Sequence, residues 1–521
     1  MSTLELRADY SAQTLFPPCL EDLVPSDHPV RLIRELLRQL PLGSLGVRMR
    51  TAEEGRPSYA PELLLGVWFY GYVEGIYSSR RLEHACRNHL GLLWLTGYHY
   101  PDHNTLWRFY ASHRAVLPRV FSAMMASAAS SGHIGFALHA VDGTRIEGRG
   151  SHRGTWHKQD VQQRLKEIEA SIERTLQEVE RVEAAENAAV AVLTGTDASS
   201  DASTSGDPTG GGAALPEALQ DPAELRRRVA EALKQQLAAL QNDRATLTEA
   251  ATALQEAKID HLQPSDREAR QLRMPHGPSR FGFNAQITVD AESGMIVTQS
   301  VTAQQNDLGL LVPALDQVQT QFGKVAADTV ADKGYGSTSE LLRLERRGYP
   351  ATVALHNELT GVGGGPYHAT QFHHEGERDV LICPQGQALP LHQVRVLEPS
   401  AECPELDAYE SRIYHCTASK TCPERTACTT SKQPRRVRLN PARQLIEQQI
   451  ARQHTPEGRA HLQRRKVIVE PAFAMIKANM KFQRWKAFGL DNAKAEWALI
   501  AIAFNLKKMT KLWRAGKLCF S

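Results

Sequence analysis

A strand-like run that closes on a carboxylate, then loses its partners to a long helical excursion, constrains this chain most. Phe136 to Val141 is a short apolar run ending at Asp142 and Gly143, the pattern of a buried strand. From Gln159 to about Ala189, and again from Pro222 to His261, Glu, Arg, Leu and Ile recur at helical spacing. Between them, Gly195 to Gly212 is a Ser/Thr/Asp/Gly stretch without core-forming residues. The pattern predicts a helical hairpin with a disordered tip, inserted into another domain. Dimerisation, DNA contact and a passive excursion are all compatible with it.

Strand signals resume beyond the excursion. Phe283, Ala285, Ile287 and Val289 alternate with polar residues, and Ala291-Glu-Ser-Gly leads into Met295-Ile-Val-Thr, which predicts a β-hairpin. Leu308 to Phe322 reads as an amphipathic helix and Val325 to Ala331 as a strand closing at Asp332. A helix at Ser337 to Arg347 and a strand at Tyr349 to Leu355 follow. That order belongs to a mixed α/β domain. Before it, residues 1–130 read as helical, with apolar spacing from Val30 to Leu40 and Pro61 opening a second helix. Further helices are expected at Ser79 to His89 and Asn104 to His113. The latter's start, His103-Asn-Thr-Leu-Trp-Arg108, suits either a DNA-facing helix or an ordinary amphipathic one. After it, residues 358–434 break the pattern with Gly, Pro, His and Cys. Helices are expected at Leu445 to Gln453, Gly458 to Lys481 and Asn492 to Trp513.

A chain of 521 residues exceeds one compact core and implies two to four domains. The boundaries expected are 1–130, 131–158, 159–262, 263–357, 358–434 and 435–521. Mean hydropathy of −0.38 suits a soluble protein. Met1 to Arg7 lacks a signal-peptide pattern, and the longest apolar stretch, Trp497 to Phe504, is too short to span a bilayer. A cytoplasmic location is expected.

Net charge is only +3, yet Thr430 to Lys486 holds 14 Lys and Arg against Glu447, Glu457 and Glu470. Such a local basic density suits a polyanion or, less specifically, a solvated face. Of eight cysteines, Cys383, Cys403, Cys416, Cys422 and Cys428 fall close together. In a cytoplasmic chain, clustering points to metal or free thiols rather than disulfides. Structural Zn²⁺ on Cys383, Cys416, Cys422 and Cys428, with Cys403 or His415 in reserve, stands beside reduced thiols as the alternative.

Three acids carry the chemistry. Asp142 and Asp332 each end a predicted strand, where a rigid scaffold aims the side chain into open space. Asp328 rivals Asp332, but the Lys333-Gly334-Tyr335 turn follows Asp332 directly. Glu470 lies four residues after Lys466 and seven before Lys477, so the three share one helix face, although Pro471 should start or kink the helix there. Three carboxylates on one scaffold suit a pair of Mg²⁺ (or Mn²⁺) ions working on phosphodiesters.

In this order, Arg80-Arg-Leu-Glu-His-Ala-Cys86, Pro101 to Phe109, Asp142-Gly-Thr144, Asn306-Asp307, Ala331-Asp-Lys-Gly-Tyr335 and Val469-Glu-Pro-Ala-Phe473 with Lys477 resemble bacterial insertion-sequence DDE transposases. The chain departs from that family's usual Tyr before the Glu, having Leu462 and Gln463 there, and carries Phe473-Ala474 for the usual Phe-Gly. The resemblance implies a helical N-terminal DNA-binding domain and an RNase H-like core. It implies that Asp142, Asp332 and Glu470 hold Mg²⁺ for cleavage at the element's ends, followed by attack of the freed 3′ hydroxyl on target DNA. Arg108, Lys333, Arg464, Arg465, Lys466 and Lys477 would meet the DNA, and a homodimer would bring two ends together. A catalytically inactive or domesticated DNA-binding protein and an RNase H-like nuclease are the alternatives.

Overall fold

A computed structural model describes residues 19–48, 58–151, 154–194, 222–274, 277–398 and 409–517. It divides into two compact units: Met1–Arg149 with Arg270–Ser521, and Gly150–Ala269.

Among the described residues of the first unit, six α-helices precede the sheet: α1 (Pro29–Gln39), α2 (Pro61–Val73), α3 (Ser79–Asn88), α4 (Leu90–Thr96), α5 (His103–His113) and α6 (Leu117–Ser130). Their starts are written locally. Pro occupies the first turn of α1, α2 and α6, where a missing N–H costs nothing, and the Asp102 carboxylate caps α5 at the Asn104 and Thr105 N–H groups. Leu64 to Val73 of α2 are all buried, as a helix apolar on every side must be.

Strand β1 (Leu138–Glu147) ends at the second unit. That unit holds a short β2 (Trp156–His157) and β3 (His261–Leu262), which pair with each other, and between them the long helices α7 (Lys158–Thr194) and α8 (Pro222–Glu256). Val161, Leu247, Ala250, Leu254 and Leu262 form its core. The helical pair matches the hairpin expected from the sequence; its expected tip lies outside the described residues.

The first unit resumes with β4 (Arg270–Leu272), β5 (Arg280–Asp290), β6 (Ile296–Thr302), α9 (Leu311–Phe322), β7 (Asp328–Ala331), α10 (Thr338–Arg347) and β8 (Ala351–Val353). β5 pairs antiparallel with β1, β4 and β6, while β7 runs parallel to both β1 and β8. This mixed α/β sheet is consistent with an RNase H-like core. Leu311, Leu315, Tyr335, Leu341, Val353 and Ile446 fill one of its faces.

Residues beyond β8, expected as a Cys-containing insertion over 358–434, form a sheet of their own. After a short α11 (Asn357–Thr360), strands β9 (His373–Glu375), β10 (Val380–Ile382), β11 (Ala388–Leu397), β12 (Tyr409–His415) and, after a short α12 (Arg425–Cys428), β13 (Arg436–Leu439) form a second, antiparallel sheet. Its core is small: Phe372, Leu381, Leu389, Tyr414 and Val437. Its strands are short or half-polar, so their alternation is faint between Gly and Pro turns.

Three long helices end the described chain: α13 (Arg443–His454), α14 (Pro456–Ala474) and α15 (Leu490–Arg514). Gln449 and Gln453 of α13 hydrogen-bond the backbone of β8, covering that sheet edge. Trp497 to Leu506 of α15 are buried without a break. Asn505 is the polar member of that run, and its amide is satisfied by both the N–H and the carbonyl of Ile296 on β6. Each large apolar side chain so buried contributes roughly 1.5–3 kcal/mol.

Candidate active site

Asp142 stands in the middle of β1, not at its end. It faces Ile287 of β5, and pairing continues to Glu147 opposite Gly282. The apolar run stops at Asp142, but the strand does not, because β5 supplies backbone partners throughout. Gly143 is required there: an added Cβ would lie 2.1 Å from Gln286 Nε2 and 2.8 Å from Asp307 Oδ1.

Asp332 follows the last residue of β7. Leu138, His139 and Ala140 pair in parallel with Asp328, Thr329 and Val330, so the same register continued brings Asp142 beside Asp332 on adjacent strands. Each carboxylate first takes a local N–H: Gly143 donates to Asp142 Oδ1 and Gly334 to Asp332 Oδ1, both at 2.8 Å. The outer oxygens share one cation. Arg465 of α14 reaches Asp142 Oδ2 at 2.8 Å through Nη1 and Asp332 Oδ2 at 4.0 Å through Nη2. Burial pushes the Asp142 carboxyl up to about 6, with Asp332 adding to the rise and Arg465 opposing it.

A third acid adjoins this pair, and the sequence had assigned it no role. The Asp307 Oδ1 atom accepts hydrogen bonds from Asn284 Nδ2 and Gln286 Nε2, both at 2.8 Å. Its Oδ2 lies 3.5 Å from where a Gly334 Cβ would be. The buried Tyr335 hydroxyl donates in turn to Gln286 Oε1. Asn284 and Gln286 belong to the polar face that alternates with Phe283, Ala285 and Ile287, yet both are buried, and buried polar groups need partners.

Asp328, the rival, is taken. It accepts from Thr352 Oγ1, Arg452 Nη2 and His461 Nδ1 at 2.9, 2.9 and 2.7 Å, tying β7 to β8, α13 and α14.

Helix α14 begins at a Thr455 cap with Pro456 in its first turn and continues through Glu470 and Pro471, contrary to a start or break there. Pro471 removes the donor for the Val467 carbonyl, at a residue that is 74% exposed rather than in the core. A wider π turn, Met475–Asn479, follows. Glu470 is exposed, and among the described residues no hydrogen bond or ion pair engages it. Lys477, in the π turn, is half-buried; burial lowers its ammonium while nearby Asp142 raises it. Lys333, Arg464, Lys466 and Arg108 are exposed, whereas Arg465 is turned inward onto the acids.

Among the described residues, no three His, Cys, Asp or Glu side chains are grouped so as to hold a metal ion. Glu470 is therefore not drawn to Asp142 and Asp332. The same applies to the thiols: Cys416 and Cys428 are raised chiefly by burial and secondarily by neighbouring thiols that include Cys383 and Cys422, yet the four do not form a metal cage. Cys383 Sγ instead accepts the Gln387 N–H at 3.4 Å, and the His415 ring tilts against His392. Cys403 lies outside the described residues. The acid pair does fit a cation in its chemistry, since two neighbouring carboxylates, one largely buried, meet a single shared guanidinium as counter-charge.

Among the described residues no helix is long and apolar enough to cross a membrane. No curated protein and no solved structure matches the chain. Two family models do: a transposase DDE domain over residues 382–510 and a transposase domain, DUF772, over residues 18–112. The first spans Arg465, Glu470 and Lys477; the second spans α1 to α4 and nearly all of α5. Both matched domains are transposase domains and flank a mixed α/β core, which supports an insertion-sequence DDE transposase.

Proposed function

We propose that this chain cuts DNA at the ends of an insertion element and joins the freed 3′ hydroxyl to target DNA. Asp142, Asp332 and Glu470 serve as the metal-holding acids, two copies act together on two ends, and the protein works on the bacterial nucleoid. The observation that carries the reading is the convergence of Asp142 and Asp332 on Arg465, in a chain matched by two transposase family models.

Bound Mg²⁺ or Mn²⁺ would supply the Lewis acidity that activates the attacking oxygen and stabilises the leaving one. The chain's own residues do the rest. Asp142 and Asp332, fixed by local N–H groups, offer their outer oxygens at one spot. Arg465 neutralises them until a cation arrives and is then free to turn to a phosphate, for which its planar fork is suited. Arg464, Lys466, Lys477 and Lys333 supply further charge along the scissile strand, and Arg108 supplies it on α5. Glu470 reaches the pair by a shift of α14, where the π turn after Ala474 provides a place of weaker helical bonding.

The test is cleavage of DNA carrying the element's ends in Mg²⁺, comparing wild type with Asp142→Asn and Asp332→Asn. Wild type should cut at the ends, and each variant should fall by roughly three orders of magnitude, a loss of several kcal/mol of transition-state stabilisation. Undiminished cutting by either variant overturns its assignment.

A further inference from the structure

A cavity of about 670 Å³ lies in the first unit, away from the acids, and the proposed reaction leaves its side chains without a task. Its walls come from α2, α3, α5, the end of β1 and the segment before α15. Two properties coincide there.

The first is an open aromatic platform. Trp107 is 47% exposed and stacks on Tyr110 with ring centroids 5.5 Å apart and an interplanar angle of 29°. Among the described residues its indole N–H has no hydrogen-bond partner. The indoles of Trp68 and Trp485, in the same wall, are spent on the carbonyls of Leu106 and Ile146. An exposed tryptophan held flat by a tyrosine contributes nothing to the core and offers a face for stacking.

The second is unspent positive charge and hydrogen-bonding capacity. Arg149 and Arg484 anchor themselves on backbone carbonyls, but among the described residues the Arg81 guanidinium bonds nothing. The Lys486 ammonium rests over the rings of Tyr77 and Phe482 and, among the described residues, without a hydrogen-bonded partner. Tyr72, 1% exposed, lines the same cavity, and its hydroxyl is likewise unpartnered. The opposing acid is Glu496, whose carboxylate is occupied by the Lys486 and Ala487 N–H groups. Arg484 is also ion-paired to Glu147 at 4.0 Å, so Arg81 and Lys486 are the cations left to make the cavity a site for an anion.

From these features we propose that the cavity takes an unpaired nucleotide of the bound DNA, its base stacked on Trp107 and its phosphate held by Arg81 and Lys486. The combination of an aromatic face with free cations is what single-stranded nucleic acid requires, and stacking accepts any base. The site deepens the transposase reading and rests on it. Arg149 lies two residues past the end of β1 and seven after Asp142, so it is at most roughly 23 Å along the chain from the acids, within one turn of a duplex whose scissile phosphate sits there.

The test is fluorescence anisotropy in EDTA with the full chain and three probes: a short blunt duplex, the same duplex with a two-nucleotide thymidine bulge, and an oligoglutamate peptide. Wild type should prefer the bulged duplex to the blunt one. Trp107→Ala should lose that preference by about tenfold while keeping its affinity for the blunt duplex, and Arg81→Gln should weaken the bulged probe selectively. Trp107→Phe, which keeps a stacking ring, should keep the preference and shows that a loss in the alanine variant is not misfolding. If wild type binds the blunt duplex but does not favour the bulge, or if Trp107→Ala favours it undiminished, the pocket proposal is overturned and the transposase reading stands. Binding of neither DNA by wild type overturns both. Tighter binding of oligoglutamate than of bulged DNA, lost with Trp107→Ala, assigns the cavity to an acidic protein and overturns the nucleotide.

Discussion

At the scale of the residue, burial sets the behaviour of two acids. Asp142 is raised by its place within the sheet and by Asp332, so the ionised pair stores a demand for positive charge that Arg465 meets only in part. Glu496 is raised to about 7, chiefly by burial at 2% exposure, with its two backbone N–H donors opposing the rise. The folded chain therefore holds a proton on Glu496 between its ordinary 4.5 and about 7, where the unfolded chain does not. A raised folded value means this contribution is full below the unfolded value and is lost as pH climbs through the window. The rise from 4.5 to about 7 corresponds to roughly 3 kcal/mol. Denaturant unfolding of wild type and Glu496→Gln at both ends of the window checks this. The stability difference, wild type minus variant, should drop by roughly 3 kcal/mol from pH 4.5 to pH 7. A difference that stays constant shows that Glu496 does not titrate abnormally.

At the scale of the element, the legible parts of the sequence were those with a strong period or a strong stop. The N-terminal helices, the hairpin α7–α8, the β5–β6 hairpin and the strand–turn–helix around Asp332 all carry either apolar spacing or a Pro, Asp or Gly at the boundary. Less legible features were set by partners distant in sequence. Nothing local says that β1 runs on past Asp142, since the residues of β5 that hold it there begin more than a hundred positions later. Nor does the composition of residues 358–434 announce a five-stranded sheet, whose core is only a handful of side chains. The helix through Pro471 defied a sound local rule at a place where the residue losing its donor, Val467, stands exposed. The site divided the same way. Asp142 and Asp332 could be singled out by sequence, whereas the inward turn of Arg465 and the bracing of Asp307 by two amides are tertiary facts.

At the scale of the whole molecule, the second unit interrupts the first in sequence without interrupting its sheet. Glu147 at the end of β1 pairs with Gly282 of β5, and Gly282 pairs with Arg270 of β4. The points where the chain leaves and re-enters are thus two strand spacings apart, roughly 10 Å. Replacing Gly150–Ala269 by a short Gly/Ser linker should leave the first unit folded, with its own cooperative melt followed by tryptophan emission. Loss of cooperativity would show that the sheet depends on the excised unit. The proposed function rests, at this scale, on Glu470 of α14 joining the acid pair fixed on the sheet. Metal-dependent release of a 3′ hydroxyl at the element's end, measured for wild type and Glu470→Gln with end binding followed in parallel, tests that claim most directly. The account predicts that Glu470→Gln binds the ends as wild type does and releases no 3′ hydroxyl; a variant that cuts as well as wild type contradicts it.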